Sequence, residues 1–457
     1  MPAGSPVLTS TLSFTSRRPP HLGIEDPLPG LVRLDVASVR FDGQRLSIAL
    51  TAHRDDPTFG DVSQAVLLRF TIGNTIAADQ GFGKAGMWVS PAADYRQFVT
   101  AAEVYGDRVA GVDGSRIVVF GILPDGSDLD ATFGTNGVCT SDLGSPLTSP
   151  VATNDRDESI YVFARRETDL RCIGCRVPVR TPLTPVENGT IDPSFGDGGI
   201  AGGLGRKVFL QPDGSVICAF CDDDQIGLKR ILPDGTTDTS FGMADQPVPG
   251  GGGTFPIGLR VRPPAALSVR GISPGGLVQM GENLYLIATA TLGGDTTATG
   301  VKRPAFDFLV VTCWNVDGSP DTRFGDGGLQ YGGVSPELAN WSALGVLAES
   351  PSSVLAYGSA SPIEVLTSIH ADGTTTTSTL IRNPQPALFR VAHPRGIDFR
   401  FGVDGAAIMR MQEFFPARCV AGVVLPNGRV RLACVDTATG PNSDRPVTTF
   451  GGLGQFE

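Results

Sequence analysis

One phrase recurs along this chain and constrains its fold more than any other feature: a glycine turn, then an aspartate, then Phe-Gly three residues later. It reads Asn188-Gly189-Thr190-Ile191-Asp192-Pro193-Ser194-Phe195-Gly196, Asp234-Gly235-Thr236-Thr237-Asp238-Thr239-Ser240-Phe241-Gly242 and Asp317-Gly318-Ser319-Pro320-Asp321-Thr322-Arg323-Phe324-Gly325. A copy with one extra residue runs from Asp125-Gly126 through Asp130 to Phe133-Gly134. Repetition at this scale means one supersecondary unit copied many times. Seven Phe-Gly pairs fall in the series, at Phe82, Phe133, Phe195, Phe241, Phe324, Phe401 and Phe450. The shortest separations, 46 to 51 residues, set the basic unit, and longer ones reflect insertions. Phe82 and Phe401 keep the aspartate (Asp79, Asp398), Phe450 keeps neither aspartate nor turn, and Phe59-Gly60 fits no register.

Each phrase follows a short apolar run such as Leu67–Phe70, Ile117–Phe120, Ile226–Leu232, Phe308–Trp314 or Leu388–Val391, with strand length and β-branched or aromatic content. Between them lie hairpin signals: Asp42-Gly43, Asp213-Gly214 and Asn427-Gly428, each flanked by apolar runs. Such pairs suit turns in which both central residues take positive φ. A unit therefore reads as four antiparallel strands, one propeller blade. Innermost strands are expected near residues 36, 98, 150, 207, 268, 342 and 417. The expected fold is an all-β propeller of about seven four-stranded blades. Residues 1–35 form an N-terminal segment and 36–457 a single domain. The region from Ser359 to Gly402 reads either as a strand pair of a further blade or as an insertion. The last blade lacks strands, and roughly Pro6 to Phe14 is expected to complete it, hiding sheet edges.

The phrase resembles the bacterial delta-60 repeat, an apolar-x-Arg-apolar stretch followed by Asp-Gly-Ser-x-Asp-x-x-Phe-Gly-x-x-Gly. Arg69, Arg230 and Arg390 match its arginine, and Phe195–Gly199 and Phe324–Gly328 match its ending. The resemblance spans about 36 to 451. It implies a propeller-like array on secreted or surface-exposed bacterial proteins, mostly without assigned activity, and it implies no reaction.

Composition limits the function classes. A net charge of −11 argues against nucleic acid, whose backbone demands a basic stripe. No run of 18 apolar residues exists, so no membrane span is expected. Met1 to Pro20 lack a basic start and an apolar core, so no secretory signal is read. The 59 Gly and 35 Pro accompany 41% hydrophobic residues, which makes the chain turn-rich rather than disordered.

Site chemistry is sparse. The repeat aspartates lack the Asp-x-Asp-x-Asp-Gly spacing of calcium loops, and Asp222-Asp223-Asp224 lacks the glycine. Asp192, Asp238 and Asp321 are expected to bond nearby amides, with the phenylalanines packed between blades. Cys172-x-x-Cys175 and Cys218-x-x-Cys221 read as equivalent positions on neighbouring blades. A four-thiolate zinc clip, an inter-blade disulfide and ordinary buried thiols all remain open for them. Cys419 and Cys434 are placed on adjacent strands of the last blade. The four histidines (His21, His53, His370, His393) are scattered without metal spacing, and no nucleophile elbow or phosphate loop occurs. No catalytic residue, cofactor or ligand is assigned.

The insertions at Pro247–Gly253, Gly293–Gly300 and Thr374–Pro384 are the expected binding loops. The reading is a non-enzymatic propeller module presenting loops to a protein partner, either on a bacterial surface or within a larger assembly such as a virion. Its alternative is a propeller hydrolase or lyase with a site at the mouth of the central channel. Converging Asp, Glu, Arg and His side chains at one end of the channel would mark the enzyme.

Overall fold

In the computed structural model the chain is all-β, with no helix among the described residues. These are residues 31–456, apart from 43, 73–75, 92–94, 105–106, 155–158, 169–171, 179–188, 205–206, 223, 243–245, 248–253, 256–258, 262–268, 294–304, 333–337, 351, 370–374, 382–384, 402–405, 409–416, 425–429 and 437–448. Seven antiparallel sheets of three or more strands follow one another along the described chain, and a two-stranded ribbon (Gln246–Pro247 with Thr254–Phe255) sits between the third and fourth strands of the fourth. Their first strands are Leu31–Phe41, Phe98–Val104, Leu147–Asn154, Lys207–Leu210, Val269–Met280, Leu338–Ser350 and Ala417–Val424. All seven fall where the apolar runs and turns put them. Each of these strands lies against that of the next sheet, and Leu31–Phe41 also lies against Ala417–Val424.

The core sits between sheets. One apolar cluster joins the first and second sheets (Leu67, Phe98, Phe120), another the second and third (Val119, Ile160, Val177). Tyr161 and Cys218 belong to the cluster between third and fourth, Ile217 and Trp314 to that between fourth and fifth, and Val311 and Phe389 to that between fifth and sixth. Each strand turns alternate residues to opposite faces, so the first to fifth sheets each feed two clusters.

The repeat phrase builds the joints. Asp192 Oδ1 accepts the Ser194 amide at 2.9 Å, and Asp238 Oδ1 the Ser240 amide at 2.8 Å, closing the turn as expected. The carboxylate's other oxygen takes an arginine: Arg176 Nε donates to Asp192 Oδ2 at 2.9 Å and Arg230 Nε to Asp238 Oδ2 at 2.7 Å. These two guanidiniums also lie over the phenylalanine, Arg176 on Phe195 at 5.5 Å and Arg230 on Phe241 at 4.9 Å, and the matching Arg69 and Arg390 cover Phe82 at 3.8 Å and Phe401 at 4.6 Å. The rings are buried. In the second sheet the arginine's place is Gly121, where a Cβ would strike Phe133 at 2.7 Å, and Arg108 reaches in from the preceding strand to bind Asp130 and cover Phe133.

At three joints the glycine of Phe-Gly then hooks the next sheet. Gly83, Gly196 and Gly242 donate to the carbonyls of Asp125, Asp234 and Asp317, at 2.6, 2.7 and 2.7 Å. At the receiving turn, Gly318 has φ +85°, and a Cβ there would lie 2.6 Å from the Phe241 ring. That explains why a glycine turn and Phe-Gly travel together in the sequence: they are halves of one contact between neighbours.

Two expectations need correcting, and one open reading is decided. The Asp-Gly hairpins do not use two left-handed residues. Asp213 instead caps the turn by accepting the Ser215 amide at 2.9 Å, and only Gly214 has positive φ. Phe450 lies within the strand Thr449–Phe456, so it is no copy of the turn. The stretch beyond Ser359 is an insertion: Ser353–Ile369 runs 17 residues, and its far half pairs with Thr375–Ile381 as a projecting hairpin. Residues Pro6 to Phe14 lie outside the described part.

Candidate functional site

The first strands of the third to sixth sheets border a cavity of about 680 Å³. Its wall includes Ser149, Arg165, Lys207, Ser273, Thr289, Thr291, Asp307 and Ser342, with Phe163 its one aromatic residue. Irregular pairing shapes this wall. The register slips between Thr148 and Val151, where Ser149 takes φ +50°, and again at Val269/Gly271, Pro274/Gly276 and Ala339/Ser342. Bulges of this kind re-aim side chains that a regular strand would alternate, and a left-handed serine stores strain of about 1 kcal/mol or more. Gly275 lets the fifth sheet approach the sixth: a Cβ would meet the Ala343 carbonyl oxygen at 2.5 Å.

Thr291 Oγ1 donates to Asp307 Oδ1 at 2.6 Å, fixing the carboxylate across the strand pair. Thr289 Oγ1 accepts the Ala343 amide at 2.7 Å, tying the wall between sheets. Arg165 and Lys207 differ. Among the described residues, neither side chain has a hydrogen-bond or ion-pair partner. Lys207 keeps part of its surface on the cavity, yet protein atoms surround it, and this desolvation pushes its pKa below that of an ordinary lysine. Two basic groups thus face a cavity whose described wall carries one carboxylate, Asp307, in a chain of net charge −11.

Two further clusters gather residues that sequence spacing left scattered. In the first sheet, His53 Nε2 lies 2.9 Å from Asp35 Oδ2, and Ser63 Oγ lies 2.8 Å from His53 Nδ1. This line resembles a nucleophile relay, but the Ser63 amide is committed to the Arg96 carbonyl at 2.7 Å and so is not available to an oxyanion. Between the fifth and sixth sheets, Cys313, Asp321 and His393 bring a sulfur, a carboxylate oxygen and a ring nitrogen within 4.8 Å of one another. His21 and His370 lie outside the described residues.

The two Cys-x-x-Cys motifs do not converge. Cys172 and Cys175 are on the third strand of their sheet, whereas Cys218 and Cys221 are on the second strand of the next, so the expected equivalence of position fails. Residues three apart on a strand also face opposite ways. Cys175 packs beside Cys139 in the cluster between second and third sheets, Cys218 in the cluster between third and fourth, and Cys221 against that between fourth and fifth. Burial, together with the neighbouring Cys139, pushes the Cys175 thiol well up. Cys419 and Cys434 are direct partners across adjacent strands, as placed from sequence. Of the expected binding loops, 248–253 and 294–300 lie outside the described residues.

No protein-family profile and no curated protein matches this chain. Solved structures do. The polysaccharide lyase Uly1 aligns over 92% of this chain and 90% of its own, at 9% identity and a TM-score of 0.47. A PL25 ulvan lyase aligns over 93% and 85%, at 8% identity and TM-score 0.36. The α-L-arabinanase of Cellvibrio cellulosa covers 63% of this chain and 96% of its own, at 12% identity and TM-score 0.26. At such identities the likeness concerns the propeller fold alone. These neighbours are enzymes, which runs against the expected non-enzymatic module; its enzymatic alternative is taken up below as a proposal. Of the Asp, Glu, Arg and His expected to mark an enzyme, the described cavity wall holds Asp307 and Arg165, with Lys207 beside them, and neither Glu nor His. No helix among the described residues is long and apolar enough to cross a membrane.

Proposed function

We propose that the cavity is the active site of a lyase that acts on an anionic, hydroxyl-rich substrate of the uronate-bearing sugar class. The observation carrying this is two basic side chains, Arg165 and Lys207, without a hydrogen-bond or ion-pair partner among the described residues, beside a single fixed carboxylate, Asp307. Arg165 supplies the planar donor fork that suits a substrate carboxylate. Drawing charge from that carboxylate acidifies the adjacent C–H. Lys207, its amine pushed toward neutrality by burial, takes that proton. The electron pair forms a C=C bond, the bond to the β-oxygen breaks, and the departing oxygen takes a proton from water. The hydroxyls of Ser149, Ser273 and Ser342 offer hydrogen bonds to the ring hydroxyls of such a chain. Glycoside hydrolysis fits less well, since it uses two carboxylates and Asp307 is the one carboxylate among the described wall residues. The delta-60 kinship, with its secreted or surface setting, remains part of this proposal and rests on the repeat residues.

The test is incubation with a panel of uronate polysaccharides while ultraviolet absorbance reports the conjugated double bond. We expect product from at least one, and a loss of about 10²–10⁴-fold in Lys207→Met. A full panel without product, or a Lys207→Met protein as active as the parent, overturns the reading.

A further inference from the structure

We infer that Cys313, Asp321 and His393 form a zinc site that clips the fifth sheet to the sixth. The repeat itself isolates this place. In each copy the aspartate amide donates to the carbonyl of one residue on the preceding strand: Arg69 for Asp79, Arg176 for Asp192, Arg230 for Asp238, Arg390 for Asp398. Asp130 uses Gly121, and there Arg108 replaces the missing guanidinium. Asp321 uses Cys313. In the fifth sheet alone, then, the joint exchanges an arginine for a thiol, and the next sheet adds an imidazole.

The three groups suit one ion. Cys313 is fully buried, Asp321 is 2% exposed, and His393 follows the strand Gln385–Ala392 of the neighbouring sheet. His393 Nε2 lies 2.7 Å from Asp321 Oδ2. Asp321 also takes Asn283 Nδ2 at 3.1 Å and Arg323 Nε and Nη2 at 2.9 Å each, while the Tyr285 hydroxyl hydrogen-bonds the Cys313 sulfur. Ligand atoms around tetrahedral zinc stand about 3.3–3.8 Å apart, so the spacing, within 4.8 Å, closes by about 1 Å at most, while the 2.7 Å His393–Asp321 contact opens by about 0.6 Å or more as the ion takes the place of their hydrogen bond. A sulfur, a nitrogen and an oxygen select zinc over the hard cations, which prefer all-oxygen shells. On binding, the Cys313 thiol gives its proton to solvent and the Arg323 side chain, largely exposed, swings away. Water or the Tyr285 hydroxyl fills the fourth position. Cys313 is six residues along its strand from Asp307, about 20 Å, so this site is separate from the cavity.

The test is titration of the metal-stripped chain with Co²⁺, followed by Zn²⁺ calorimetry. We expect one ion per chain, a sulfur-to-cobalt charge-transfer band, and a rise of about 3 °C in the thermal midpoint at a hundredfold excess of zinc over its Kd. Cys313→Ser abolishes the band, His393→Gln weakens binding at least tenfold, and a Cys175→Ser/Cys218→Ser double variant binds as the parent does. His393→Gln, at a half-buried position, keeps the test decisive should Cys313→Ser not fold. A cobalt spectrum without the sulfur band, or His393→Gln binding as tightly as the parent, overturns the site.

Discussion

Replacing Gly318 by alanine probes the joint between sheets directly. The residue has φ +85°, so alanine there costs about 1 kcal/mol for the left-handed backbone. Its Cβ would stand 2.6 Å from Phe241 Cε1 and 2.7 Å from the Gly242 nitrogen. The second of these is backbone and cannot rotate aside, so overpacking adds about 2 kcal/mol. The hydrogen bond from Gly242 to the Asp317 carbonyl, at 2.7 Å, lengthens as the sheets part. The sum is about 3 kcal/mol. For a chain this long the unfolding entropy is about 1 kcal/mol per kelvin, so the midpoint should fall by about 3 °C in differential scanning calorimetry. Gly327 provides the control. It too is left-handed, at φ +62°, but a Cβ there meets nothing within 4 Å, so Gly327→Ala should cost about 1 °C. Equal shifts for the two variants would refute the claim that the glycine turn serves the neighbouring phenylalanine rather than its own backbone.

Arg176→Leu should destabilise by about 3 kcal/mol in urea denaturation, because it strands the mostly buried Asp192 carboxylate and uncovers Phe195. Burial alone would raise the Asp238 carboxyl, yet the Ser240 hydroxyl and amide and the Arg230 guanidinium hold it below the ordinary range. Its stabilisation is therefore present at neutral pH and lost as pH falls below that range, and an Arg230→Met denaturation series should show a weaker acid dependence. For Lys207 the sign reverses: its folded pKa is lowered, so the unfolded chain holds the proton more tightly and stability should rise with pH up to the ordinary lysine value, a slope absent in Lys207→Met. Turnover of a uronate substrate should climb through the same lowered pKa. A serine-directed phosphonate should leave Ser63 unlabelled, measured by mass spectrometry, since no amide of its own is available to an oxyanion.

Much of the architecture was legible because the joint is local in sequence. Turn, aspartate and Phe-Gly lie within nine residues, and the strand preceding them is a short apolar run, so pattern alone placed all seven first strands. The site was not legible, for two reasons. Arg165, Lys207 and Asp307 come from three different sheets and carry no shared motif, and only the packing of first strands brings them to one cavity. The facing wall, from Ser149 to Gly275, is shaped by register slips that strand alternation does not foretell. The cysteine motifs misled because a spacing of three is a ligand pair on a loop but a pair of opposite faces on a strand. One signal did lie in the sequence: among residues aligned with Arg69, Arg176, Arg230 and Arg390, only Gly121 and Cys313 break the series, and of these only Cys313 brings a metal-binding side chain.

The hook from Phe-Gly to the following turn has a polarity, like tiles laid from one eave. Where it is formed, one unit presents a donor forward and the next an acceptor behind, and the two are unlike. A unit inserted whole, in register, therefore arrives with both halves of its coupling and disturbs no neighbour, whereas an excision that starts within a phrase orphans two partners at once. Such an array grows by duplication more readily than by piecemeal change, and the uneven unit lengths in this chain are what that history leaves behind.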